Sequence, residues 1–146
     1  MSAGATVLVD AHHLDRVLEV GAKQLSAGVA TSIWRSGALL RTMVRAKASG
    51  RPGPRVQTGD YRRGISLQTG YTVGLSDAKV AFATVFSTSP QGQRLENGFI
   101  GIDSLGRHYH QPAFPHFGPA LREIEPIVMR DLNHTVDELA RGMSAA

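Results

Sequence analysis

Apolar residues recur at intervals of three or four from Leu14 through Leu18, Ala22, Leu25, Val29, Ile33 and Leu40 to Val44. That stripe predicts one long helix from Ala11 to Ser49. Asp10 stands where its carboxylate can accept the free N–H groups of the first turn, and Gly50 followed by Arg51-Pro52-Gly53-Pro54 ends the run. Gly21, Gly28 and Gly37 interrupt it, each costing about 1 kcal/mol relative to alanine, so a kink or a close helix contact is expected at one of them. The stripe lacks the regular flanking charges of a heptad pair, and the helix is therefore expected to pack across a sheet instead of standing as a coiled coil.

The period changes after Val56. Ile65 and Leu67, then Tyr71, Val73 and Leu75, alternate with small or polar residues around Thr69-Gly70, which reads as a hairpin, and Ser76-Asp77 makes the next turn. Val80 to Phe86 is apolar on both faces, as a central strand is. Ser89-Pro90 opens a short helical segment ending at Asn97-Gly98. Phe99 to Ile102 and Arg107 to His110 flank Asp103-Ser104-Leu105-Gly106, a second hairpin. Leu121, Ile124, Val128, Leu132, Val136 and Leu139 then return to helical spacing. Pro119 is expected at the first position of that helix, and Pro126 is expected to bend it or push its regular part downstream.

The elements together predict an α+β fold: a long N-terminal helix packed on a small, mostly antiparallel β-sheet, with a C-terminal helix. Its 146 residues fit a single domain, 1–146, with an ordinary hydrophobic core. The absence of cysteine excludes disulfides, thiolate metal sites and a thiol nucleophile. The apolar run Ala5 to Val9 is too short and too poorly flanked for a signal peptide, and no apolar segment is long enough to span a bilayer, so a chain made in a cytoplasm and free of the membrane is expected.

A net charge of +4, with basic residues gathered loosely between Arg35 and Arg63, permits attraction to phosphate. No helix-turn-helix, aromatic RNA-binding stretch or zinc finger accompanies it. His108, His110 and His116 make the best case for a metal site, since imidazoles two apart on a strand share a face; the plainer reading is a set of hydrogen-bonding residues in a polar and aromatic loop. Glu96 has Arg94 and Arg107 within sequence reach, but a general base needs a nucleophile and oxyanion donors that the neighbourhood lacks, and a turn or an intersubunit ion pair suits it better. Arg62 and Arg63 suit bidentate pairing with carboxylates of an adjoining subunit more than contact with DNA. Trp34, at helical spacing, reads as packing. Gln111 to Gly118 carries Phe114 and Phe117, more aromatic surface than the loop can bury within itself, and is expected at a subunit boundary together with Tyr109. No catalytic, cofactor-binding or metal-binding residue is assigned, and no cofactor is expected.

Three segments in order carry a resemblance. Thr58-Gly59-Asp60-Tyr61-Arg62-Arg63-Gly64-Ile65 leads into the sheet, Leu95-Glu96-Asn97-Gly98 follows, and Gln111-Pro112-Ala113-Phe114-Pro115-His116-Phe117-Gly118-Pro119-Ala120-Leu121 precedes the last helix. With the long first helix, they resemble the HK97 gp10-like family of phage neck or tail-completion proteins over most of the chain after Ala11. In that family a strand often leads directly to the Glu-Gly element, whereas here Ser87 to Arg94 is inserted between them. The resemblance implies a structural virion protein, not an enzyme, made in a bacterial host and located in the neck of a long-tailed phage. It implies a homo-oligomeric ring, a hexamer, between the head-closure protein and the tail terminator or tail tube, with DNA passing through the lumen without specific recognition. Interface candidates on this reading are Tyr61, Arg62, Arg63, Glu96, Tyr109, Phe114 and Phe117. The alternative from another class is a small basic nucleic-acid-binding protein.

Overall fold

The computed structural model describes residues 3–9, 22–74 and 79–144. Its elements in chain order are strand β1 (Ala3–Val9), helix α1 (Ala22–Lys47), the single turn α2 (Asp60–Arg63), strands β2 (Ile65–Val73) and β3 (Lys79–Ser87), helix α3 (Pro90–Asn97), strands β4 (Phe99–Ile102) and β5 (His108–Gln111), and helix α4 (Phe117–Ser144). Two small antiparallel sheets and two long helices make this an α+β arrangement. The first sheet has the order β1-β3-β2, and the second is the β4-β5 hairpin.

The central place of β3 follows from its sequence. Val80, Ala81, Ala83, Val85 and Ser87 are buried and Phe82, Thr84 and Phe86 half-buried, so both faces are covered to some degree while β1 and β2 pair antiparallel along its two edges. On the helix side, Ile65 and Leu67 of β2 stand beside Ser87 and Val85 of β3. Against this face lie α1, through Val29, Ile33, Leu40 and Val44, and α4, through Ala120, Ile124, Val128 and Leu132, which together form one hydrophobic core. The helices run antiparallel: Ser32 Oγ donates to Asp131 and Lys47 Nζ donates to Glu123 Oε1 across 2.5 Å.

Two glycines set how closely α1 approaches its neighbours. A Cβ at Gly37 would lie 2.5 Å from that of Ala83, so the helix rests on β3 at a distance that admits no side chain there. At Gly28 a Cβ would come within 3.0 Å of Leu139 Cδ1 on α4. The close helix contact expected at one of the three glycines occurs at Gly28, against α4, while Gly37 meets the sheet. Gly21 and the start of the expected helix, 11–21, lie outside the described residues, as does the Ser76-Asp77 turn.

The hairpin expected at Thr69-Gly70 is not formed. β2 runs straight through these residues as a nine-residue strand, and Gly70 pairs with Phe82 across the ladder. The Phe82 ring lies 3.3 Å from where a Gly70 Cβ would stand, so the glycine is there to accommodate an aromatic neighbour and not to turn the chain. Strand β1 was not anticipated from the short apolar run near the N-terminus. Helix α4 begins at Phe117, two residues ahead of Pro119, and continues through Pro126 to Ser144. Because its regular part already starts at Phe117, Pro126 has not displaced it downstream.

Candidate functional site

The segment inserted between β3 and the Glu-Gly element folds as α3. Ser89 Oγ caps its start by accepting the Gln91 N–H at 3.3 Å, and Pro90 occupies the first turn, where its missing N–H costs nothing. The far end of α3 delivers Glu96 to the start of α4. Glu96 Oε2 accepts the N–H groups of His116 at 2.8 Å and Phe117 at 3.0 Å, and Oε1 accepts that of Gly118 at 2.8 Å.

The backbone accounting at this helix start is complete. A helix leaves its first four N–H groups without intrahelical partners. Three of them bond to Glu96, the fourth position is Pro119, which has none, and Ala120 N–H begins the ladder to His116 O at 3.4 Å. A carboxylate at the positive end of a helix dipole adds to this stabilisation. Gly118 fits closely, since a Cβ would lie 3.2 Å from Glu96 Oε1. Gly98, at φ 78°, turns the chain from α3 into β4, where a Cβ would lie 2.9 Å from the Gln111 carbonyl oxygen. The Glu-x-Gly element and the proline-aromatic loop are therefore two halves of one joint.

His116 is fully buried beside it. Its Nδ1 faces the Phe114 carbonyl at 3.0 Å and Glu96 Oε2 at 3.2 Å, both acceptors, so Nδ1 carries the proton. Nε2 is then the acceptor for the Tyr61 hydroxyl at 2.6 Å. Burial pushes the His116 pKa below 6.5, outweighing the Phe114 carbonyl and Glu96, and keeps the ring neutral. Tyr61 is pushed up to about 12, first by burial and then by the Glu96 charge. This arrangement positions and stiffens. Glu96 oxygens engaged by three N–H groups are spent as a helix cap, not held ready as a base.

The interface candidates fall in different settings. Phe117 is 4% exposed and belongs to the core of its own chain, so it offers no surface to a neighbour. As the first residue of α4 it joins the core that this helix shares with α1 and the sheet, packing that the loop alone does not reveal. Phe114 is half-buried beneath the Arg51 guanidinium, which lies 3.8 Å from the ring centroid. Tyr61 and Glu96 are in the joint. Arg63 pairs with Asp60 of its own chain, one helical turn away, and both side chains stay exposed. Arg62 donates to Ser49 Oγ at 2.9 Å. Tyr109 is exposed, its hydroxyl donating to Asp103 Oδ2 at 3.1 Å. His108 and His110 lie on the exposed hairpin away from buried His116, so the three histidines are not brought together. Among the described residues no three His, Cys, Asp or Glu side chains converge on a metal-sized site, and no helix is long and apolar enough to cross a membrane.

The β4-β5 hairpin has two unlike faces. Phe99 lies over Gly101 with Arg94 stacked 4.3 Å from its ring centroid, and Tyr109 is tied to Asp103, so one face is furnished from within the chain. The other carries Ile100 beside His110 and Ile102 beside His108, all exposed. Ile100 is 78% exposed, Ile102 60%, and Leu105 at the tip 74%. Sequence reasoning looked to the loop aromatics for a contact surface and passed over these aliphatics, whose signal was an apolar strand of four residues with nothing in the pattern to cover it.

No protein-family model, no curated protein and no solved structure matches this chain.

Proposed function

We propose that this chain is a structural subunit of the neck of a long-tailed phage, one copy of a homohexameric ring that joins the head-closure protein to the tail terminator or tail tube and leaves a channel for DNA. The observation that carries the reading is the hairpin face bearing Ile100 and Ile102, with Leu105 beyond it: β-branched and aliphatic side chains at this exposure favour coverage by another polypeptide. A second exposed apolar pair, Tyr71 and Val73, sits at the end of edge strand β2. Two unlike patches on one chain favour head-to-tail contacts, which close into rings when the rotation permits. The ordered motifs of the sequence, similar to those of the HK97 gp10-like family, supply the class of assembly. No chemical step is assigned to the chain, and the polar joint around Glu96 serves to hold the hairpin in place.

Light scattering on the purified protein tests the reading. Six-copy particles that fall to monomers with I100S/I102S, at unchanged helical circular dichroism, are the expected result. A wild-type chain that stays monomeric at high concentration and binds oligonucleotides with a steep salt dependence would instead favour the small nucleic-acid-binding protein.

A further inference from the structure

A groove of about 830 Å³ opens among the loop that follows α1, α2 and α3. Four arginines are among the residues that line it, Arg51, Arg55, Arg62 and Arg94. Asp60 also lines it, but its carboxylate is already bound by the Thr58 hydroxyl and by Arg63. Among the described residues, none of the four arginines has a carboxylate within ion-pairing distance.

Three of the four are nonetheless held in place. The Arg51 guanidinium sits over the Phe114 ring and donates to the Gly53 carbonyl at 3.3 Å, that of Arg94 sits over Phe99, and Arg62 reaches Ser49. Stacking on a ring fixes the plane of a guanidinium while leaving N–H groups at its edge free. The groove thus presents positive charge that is oriented without being neutralised.

We propose that this groove binds an extended acidic segment of a partner protein, its Asp and Glu carboxylates taken by Arg51, Arg55, Arg62 and Arg94. Arginine is suited to bidentate capture of carboxylates. Gln57, Gln91 and Gln111 in the same lining both donate and accept, which matches the alternating N–H and C=O groups of a peptide backbone. A single-stranded nucleic acid would draw on aromatic faces for base stacking. Of the two aromatic rings in the lining, Phe114 already carries the Arg51 guanidinium on one face and Tyr61 is turned edge-on to His116, to which its hydroxyl is bonded. The inference relies on the proposed joining role only for where the segment comes from, not for the chemistry of the groove.

Fluorescence anisotropy on the full chain tests it with three probes: a twelve-residue peptide of alternating Glu and Ala, its Gln-Ala counterpart, and a twelve-residue oligothymidylate. The Glu-Ala peptide is expected to bind at least tenfold more tightly than either of the others. R55E, at an exposed side chain, and R94Q are each expected to weaken it about tenfold, whereas R130Q, on the exposed side of α4, leaves it unchanged. Equal or tighter binding of the oligothymidylate, equal loss from R130Q, or no binding of the Glu-Ala peptide overturns the proposal. Because the peptide is measured on the isolated chain, failure here is distinguishable from failure of the ring, which light scattering reads separately.

Discussion

The Tyr61 hydroxyl donates to His116 Nε2 across 2.6 Å, joining the turn that leads into the sheet to the loop that starts the last helix. The pair is buried well enough that each partner is held in its neutral form, and that has consequences on both sides of neutrality.

On the acid side, the unfolded chain takes up a proton at His116 near pH 6.5, while the folded chain resists until lower pH. The unfolded state then binds more protons, so stability falls as pH drops below about 6.5. Urea unfolding at about pH 7.5 and pH 5.5 should show this loss, and H116N should reduce the difference between the two.

On the alkaline side, a tyrosine raised from 10 to about 12 supplies stability that is present below pH 10 and lost as pH climbs through about 12. Absorbance titration of tyrosinate should contain a late component that Y61F removes. A late component persisting in Y61F would assign it to another tyrosine.

Removing the cap should be costly. E96A leaves the N–H groups of His116, Phe117 and Gly118 without their acceptor, and bonds to a charged group contribute about 1.5 to 3 kcal/mol each, with part recovered by water. A net loss of about 3 kcal/mol in denaturant unfolding is expected, with E96Q losing less because one acceptor oxygen remains.

The two loop phenylalanines should separate cleanly. F117A opens a cavity in the core, and should cost about 3 to 5 kcal/mol. F114A removes only a half-buried ring beneath Arg51, and should leave the thermal midpoint much closer to that of the unaltered chain. Similar midpoints for the two variants would contradict the placement of Phe117.

At the contact between α1 and β3, G37A forces a methyl group against Ala83 and should destabilise by about 1 to 3 kcal/mol. Adding A83G should recover part of that loss, and a double-mutant cycle measures the coupling.

Features written in short-range pattern were legible in the sequence. The stripe Val29, Ile33, Leu40 and Val44, the doubly apolar β3, the Ser89-Pro90 start of α3 and the second hairpin each rest on residues a few positions apart. What depends on distant partners was not. Thr69-Gly70 has the composition of a turn, and only the Phe82 ring across the ladder distinguishes a flat strand glycine from a turning one. Phe117 has the look of surplus aromatic surface in its loop, and only the core that α4 shares with α1 and the sheet buries it. Glu96 was singled out in the sequence, yet its task depends on N–H groups twenty to twenty-two residues further along, a separation at which local spacing carries no information.

The joint beneath the hairpin has a mechanical consequence. β4 leaves directly from the α3 end that holds Glu96, and the chain returning from β5 is fastened to α3 by Phe114 N–H on the Leu95 carbonyl at 2.6 Å. Both legs of the hairpin are therefore rooted in the same few residues that hold the first turn of α4. A force applied at Leu105 has no slack loop at its base in which to dissipate, and the hairpin acts as a short lever whose fulcrum is the start of the last helix.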